Sequence, residues 1–211
     1  MVYQNGIVEG GKRDCLDRWK LIKPELPCQG IFFDVGSAEG FFCKSALEQT
    51  NMSVLSLEKD VECVNVQKSW GNKYKNRFII AQCNLGENNI KELSALRVEA
   101  LLLLSVLHWF RCPDFMLKQF FSMSRKTIVE FPEPGEQTPH GIKAKEITRG
   151  NVKEYLKNIT GRPVRYLGKT KDHLSNYRKL WLIENNFDDI SYISSFICDK
   201  LNVVHGEFKN D

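Results

Sequence analysis

Residues 31–40 read Ile-Phe-Phe-Asp-Val-Gly-Ser-Ala-Glu-Gly, an apolar strand that delivers an acid and a glycine into a tight turn, with a second glycine opening a helix. Glycine lets the backbone approach a ligand closely, and the free amides at a helix start favour a carboxylate or phosphate. A turn of this kind holds a nucleotide-like ligand. Residues 53–58, Ser-Val-Leu-Ser-Leu-Glu, form a second strand-like run ending in Glu58. That acid follows Gly36 by about 20 residues, the spacing at which open α/β folds place a carboxylate on ribose hydroxyls.

The spelling of the turn separates two cofactor classes. Dinucleotide enzymes need G-x-G-x-x-G to seat a pyrophosphate, whereas here Gly36 and Gly40 enclose Ser37, Ala38 and Glu39. Asp34, directly before the turn, would repel a pyrophosphate but suits the amino-acid portion of S-adenosylmethionine. Residues 34–40 resemble the first motif of the class I S-adenosylmethionine-dependent methyltransferases, roughly D-x-G-x-G-x-G/F, with Ala38 in place of the central glycine. In that resemblance Asp34, Gly36, Ser37, Ala38, Gly40 and Phe41 hold the methionine part of the cofactor. Glu58 and Lys59 take the ribose, Cys83 and Asn84 flank adenine, and Ser105 completes the cofactor site. The family often has Asp where Asn84 stands; an amide oxygen can still pair with an adenine amino group.

Working outward, strand-like runs at 31–35, 53–58, 77–82 and 100–105 alternate with helical ones at 40–50, 60–70 and 89–97, which predicts a parallel sheet. A helix at 113–124 precedes a fifth strand, Thr127 to Phe131, and Pro132-Glu133-Pro134-Gly135 then requires a loop. A helix over 145–159 follows. Val164–Gly168 and Leu180–Glu184 are too close for a helical crossover and predict an antiparallel hairpin. The resemblance therefore extends from the motif to residues 28–185, and implies a Rossmann-like, mostly parallel seven-stranded sheet with an antiparallel last strand and helices on both faces. Residues 1–27 are expected to form an N-terminal arm and a helix carrying Cys15, Leu16, Trp19 and Ile22. Residues 186–211, with Tyr192, Ile193, Phe196 and Ile197, are expected to be an extension, either an amphipathic element or a dimer contact.

The 211 residues suffice for one α/β domain with a sizeable core. A net charge of +4 permits an anionic acceptor without requiring one, and the basic groups around Lys68–Arg77 and Lys169–Lys179 are sparser than a nucleic-acid surface needs. No apolar run is long enough for a membrane span and the start lacks a signal-peptide core, which together predict a cytoplasmic protein. Seven cysteines without C-x-x-C spacing suit reduced thiols and supply no metal site. Pro27-Cys28-Gln29 spells the nucleophile motif of cytosine-C5 methyltransferases, but before the first strand rather than after the fourth, where that chemistry needs it.

The fourth strand runs into Ser105-Val106-Leu107-His108-Trp109, which places Ser105 and His108 where strand becomes loop, beside the expected methyl group. His108 is the candidate general base. The absence of N-P-P-Y, and of an aspartate ending this strand, argues against base-amine and ribose-tetrad chemistry. Ser105-Val106-x-His108, Glu130 at the end of the fifth strand and Asp172-His173-Leu174-Ser175 are similar to the methyltransferase domain of bacterial O-antigen chain-terminating enzymes. On that resemblance Trp109, Glu130, His140, His173 and Arg178, together with Lys143 and Lys179, lie on the substrate side. The reading is O-methylation of a small-molecule, glycan or phosphorylated acceptor by direct displacement. The alternatives are an RNA methyltransferase and a non-catalytic binding subunit of the same fold.

Overall fold

The computed structural model describes residues 4, 7, 15–132, 135–136, 144–171, 177–186 and 202–206. Its centre is a sheet of eight strands: β1 (Ile31–Val35), β2 (Ser53–Glu58), β3 (Phe78–Gln82), β4 (Val98–Leu104), β5 (Ser124–Phe131), β6 (Val164–Lys171), β7 (Tyr177–Glu184) and β8 (Val203–His205). The order across the sheet is β6-β7-β5-β4-β1-β2-β3-β8. Pairs β1·β2, β1·β4, β2·β3 and β4·β5 are parallel, while β7 lies antiparallel to both β5 and β6. This is the expected seven-stranded architecture with one strand added. The eighth, β8, comes from the C-terminal extension and pairs antiparallel with β3; residues 187–201, including Tyr192, Ile193, Phe196 and Ile197, lie outside the described residues.

Central strands buried on both faces read as continuous apolar runs, as Ile31–Val35 and Val98–Leu104 do here. The helices α2 (Phe41–Gln49) and α1 (Leu16–Ile22) pack on one face around Phe32, Val54, Ile80 and Leu102. The other face, built on Phe33, Leu55, Leu101 and Val129, is covered by α4 (Pro113–Met123) and α6 (Val152–Thr160). No helix among the described residues is long and apolar enough to cross a membrane.

Three local expectations change. The helix over 145–159 is two, α5 (Ala144–Thr148) and α6, because Arg149 and Gly150 adopt left-handed φ of +51° and +79°, and the Asn151 side chain then caps α6 by accepting from the Glu154 amide at 3.1 Å. The segment 89–97 forms only a 3-10 turn, Ile90–Leu93, whose two apolar side chains fill the core. The fifth strand starts at Ser124, directly off α4, where the Ser124 and Thr127 hydroxyls bond each other at 2.5 Å.

Because β1 sits between β2 and β4, chain crossovers leave it in opposite directions, and a crevice opens at the carboxyl ends of the strands. Val35, Glu58, Gln82, Leu104 and Phe131 end at that edge.

Candidate functional site

The turn after β1 is held by its own main chain, by β2 and by α3 (Val61–Gly71). Gly36 donates to the Leu57 carbonyl at 2.8 Å, and Gly40 to that of Ser37 at 3.0 Å. Gln67, fully buried on α3, donates to the Ser37 hydroxyl and the Ala38 carbonyl, at 2.9 and 2.5 Å, and accepts from Ser56. The Trp70 indole donates to the Glu39 carbonyl at 3.1 Å and lies where a Gly40 side chain would be, 2.6 Å from an added Cβ. Gly36, Ala38 and Gly40 have φ of +71°, +51° and +85°. The alanine that replaces the motif's middle glycine therefore occupies a left-handed position, at a cost of about 1–2 kcal/mol, and its amide donates to Glu58 at 2.8 Å.

Glu58 is 8% exposed and receives two further amides, from Lys59 and Asp60 at 2.7 and 2.9 Å. The cap of α3 is Asp60, which accepts from Glu62 and Cys63. Glu58 is thus oriented by main chain at the end of β2, facing a cleft of about 340 Å³ lined also by Gly36, Ala38, Lys59, Cys83, Asn84 and Ser105. Trp109, half exposed, and Lys59 meet across its mouth, with the ammonium 5.3 Å from the ring centroid.

A second, smaller cavity of about 170 Å³ adjoins it and shares Gly36, Leu104, Ser105 and Trp109. It is lined further by Gln4, Cys15, Arg18, Asp34, Ser37, Phe42, His108, Glu130 and Arg178. Glu130 is its anchor. Arg18 donates to Glu130 through Nε at 2.6 Å, and the Ser105 hydroxyl also bonds it. Arg178 donates to Ser105 through Nη1 and to Glu136 through Nη2 at 2.6 Å, with Nη1 3.7 Å from Glu130. Two guanidinium groups thus answer two carboxylates, the condition under which buried charges are tolerated. Ser105 has φ +55°, strain of the kind that collects at functional turns.

His108 lies in a 3-10 turn, Leu107–Trp109, packed on Phe131 with ring centroids 6.4 Å apart. Its Nδ1 has no hydrogen-bond partner among the described residues. Burial, and then the Arg178 charge, hold its pKa down to about 4, and Glu130 opposes them. Burial pushes the Asp34 carboxyl up to about 7, against the lowering effect of the Cys43 thiol, which donates to it at 3.5 Å.

The two shifts have opposite signs for stability. Asp34, ordinarily 3.8, keeps its proton in the folded chain, so its contribution is present below pH 3.8 and is lost as the pH rises through about 7. His108, ordinarily 6.5, contributes fully above that value and loses its contribution as the pH falls toward about 4. Asp34→Asn removes only the first effect. Thermal melts should show its Tm, relative to wild type, climbing on the order of 5 °C between pH 4 and pH 7; a constant difference would refute the buried-proton account.

Most of the residues expected from sequence come together here. Phe41 does not line either cavity; it packs into the core, and Phe42 takes the place beside Asp34. The Ser37 hydroxyl bonds inward to Ser56 at 2.7 Å. His140, Lys143 and His173 lie outside the described residues. Sequence reasoning missed Arg18, and also Gln4, whose amide donates to Glu39 at 3.3 Å and whose side-chain oxygen accepts from the Phe41 amide at 2.9 Å. An arginine among the apolar positions of α1 was the one available signal for the first. Nothing local marked the second.

The order of strands, parallel from β3 to β5 with β7 antiparallel beside it, defines a Rossmann-like fold. No family model and no curated protein matches the chain by sequence. Among solved structures it is similar to the bifunctional kinase-methyltransferase WbdD, with a TM-score of 0.68 and 19% identity over 90% of this chain and 45% of that one. It is similar also to the N-terminal domain of EvdMO1 with SAH (S-adenosylhomocysteine) bound, at TM-score 0.60 and 15% identity over 82% of each chain. A methyltransferase from Pyrococcus furiosus follows at TM-score 0.58 and 14% identity, over 82% and 83% of the two chains. The chain spans about half the length of the WbdD chains that it matches.

Proposed function

We propose that the protein is an S-adenosylmethionine-dependent methyltransferase that methylates an oxygen of a small-molecule, glycan or phosphorylated acceptor. The observation that carries this reading is the pair of adjoining cavities, one with a main-chain-oriented acid at the end of β2 and one with a buried polar cluster, meeting at Gly36, Ser105 and Trp109. Bound S-adenosylmethionine supplies an electrophilic methyl group, and in-line displacement leaves the protein to position the nucleophile and, where needed, to take its proton.

The residues present fit that cofactor. Glu58 offers a carboxylate already oriented for ribose hydroxyls, Asn84 and Cys83 line the far end for adenine, and the positive-φ turn leaves its backbone uncovered at Gly36. Asp34 borders the smaller cavity, where a cationic amino group would favour its ionised form. On the acceptor side Arg18 and Arg178 are matched by Glu130 and Glu136. Such a balanced lining suits a hydroxyl of a polyol or sugar better than a bare dianion, and it leaves His108, neutral near pH 7, as the group that accepts a proton.

Removal of the Glu58 carboxylate tests the cofactor half of the proposal. Charge-assisted hydrogen bonds contribute about 1.5–3 kcal/mol, so Glu58→Ala should weaken S-adenosylhomocysteine binding by roughly tenfold to a hundredfold in calorimetry on folded protein. Unchanged affinity would remove Glu58 from the site.

A further inference from the structure

We propose a sugar-binding site, separate from the cavities at the cofactor turn, in which a corner of two aromatic rings on the β6–β7 hairpin holds one neutral pyranose unit of a saccharide. A cavity of about 540 Å³ opens between the hairpin and the start of α6, with Tyr166, Trp181, Phe131 and Pro132 among its walls. Its volume falls in the range of small-molecule sites, about 300–1,000 Å³. It shares no described lining residue with the other two cavities. Phe131 links it to them, because its ring also packs on His108.

The sequence of the hairpin builds the corner. Successive side chains of a strand face opposite sides, and on β7 Leu180 and Leu182 enter the core beside α1 while Trp181 and Ile183 join the opposite core. Tyr166 pairs directly with Trp181, so the two rings share a face. The register then shifts between Tyr166 and Gly168. The extra residue, Leu167, packs on the α1 side, and Gly168 has no side chain where Leu21 of α1 lies, 2.7 Å from an added Cβ. Bulge and glycine together seat β6 closely on α1 and leave the two rings on the other face, a use of bulges that recurs beside functional sites.

Two independent features of those rings point to a ligand. Tyr166 is 47% exposed within a concave lining, and Trp181 beneath it is 9% exposed. Trp181 Nε1 is buried and has no hydrogen-bond partner among the described residues. A buried indole N–H ordinarily finds an acceptor, and one that has none calls for an explanation. In the proposed complex a ring hydroxyl is that acceptor.

The geometry selects the class of ring. The centroids of Tyr166 and Trp181 lie 5.2 Å apart with planes at 53°, a corner rather than a parallel-walled slot. A flat aromatic ligand can lie on only one wall of such a corner. A pyranose chair is puckered, so its C–H bonds present apolar patches in more than one direction while its hydroxyls radiate from the edge. Donors stand where those hydroxyls would fall: the Asn151 side chain, whose oxygen already caps α6, and the Lys153 ammonium. The Lys169 ammonium is drawn toward the Tyr177 ring, 4.7 Å from its centroid. Recognition therefore rests on the rings and on hydrogen bonds, which a neutral sugar satisfies.

Saturation-transfer NMR titrations on the whole chain test the site with the methyl α-pyranosides of D-glucose, D-mannose and D-galactose, which differ in the direction of single hydroxyls. Glycerol supplies hydroxyls without a ring, and phenol a flat ring. At least one pyranoside should bind saturably and at least tenfold tighter than glycerol or phenol. Tyr166→Ala should weaken that pyranoside tenfold or more, whereas Tyr166→Phe, which keeps the ring, should cost less than threefold. Trp181→Phe keeps a ring without the donor and should cost threefold or more. Unchanged melting and S-adenosylhomocysteine affinity would show that the variants fold, and because cofactor binding is measured separately, failure of the sugar site leaves the methyltransferase reading standing. The proposal is overturned if no pyranoside binds saturably, if glycerol binds as tightly, or if Tyr166→Ala binds the pyranoside like wild type, which would place the sugar elsewhere. Phenol binding as tightly as the best pyranoside would overturn it in favour of a flat aromatic ligand.

Discussion

Gly36→Val should eliminate measurable S-adenosylhomocysteine binding while the sheet remains folded. Gly36 is the residue common to the turn and to both cavities, and its φ of +71° is one that a β-branched residue adopts only under strain. Even a single added carbon would sit 3.2 Å from a Val106 methyl, and the two branches of valine must go further, toward Val106 or into the cleft. The backbone cannot yield easily, because the Gly36 amide is fixed to Leu57 and the following residues are clamped by Gln67 and Trp70. The conflict is local, confined to Val106 and the cleft at the carboxyl edge of the sheet. Circular dichroism should therefore match wild type while calorimetry shows no heat of binding. A variant that binds normally would place the ligand elsewhere and end the methyltransferase reading.

That prediction rests on a part of the fold that was legible from sequence, and the reason is physical. Parallel strands buried on both faces must be apolar runs, and the turn needs its glycine where φ is positive, so both leave local marks. Asp60 as the cap of α3 is local too, two residues from the amide it accepts. The smaller cavity was legible in part: Ser105, His108, Glu130 and Arg178 were read from the sequence, but the residues that hold them were not. Arg18 reaches Glu130 across 112 residues of sequence, and Gln4 bonds the turn across more than 30. Contacts of that kind have no period and no spacing, so a reader of the sequence sees an N-terminal arm and a helix but not what they touch. The break between α5 and α6 was visible as Gly150-Asn151, a turn pair that the surrounding helical spacing masked. β8 is three residues long and the hairpin bulge moves a single residue; neither alters a pattern enough to be read before the sheet is known.

His108→Asn should keep cofactor binding and lose on the order of a hundredfold or more in turnover, the usual size of acid-base catalysis. Asparagine preserves much of the shape and can still hydrogen-bond, but it cannot carry a proton. The structure adds a pH signature. With a pKa of about 4, His108 is unprotonated across the neutral range, so the acid limb of wild-type kcat/KM should fall near that value and not near 6.5. Burial contributes most to the shift and the Arg178 charge comes next. Replacing Arg178 by methionine removes a positive charge, stabilises the protonated imidazole and should move the acid limb to higher pH. A limb that stays in place, or moves lower, would separate His108 from the titration. An acceptor already ionised at neutral pH needs no base; in that case His108→Asn should raise KM more than it lowers kcat, and the phosphorylated acceptor would displace the hydroxyl as the favoured substrate. Wild-type values of both constants in His108→Asn would leave the imidazole as a packing group against Phe131 and Trp109.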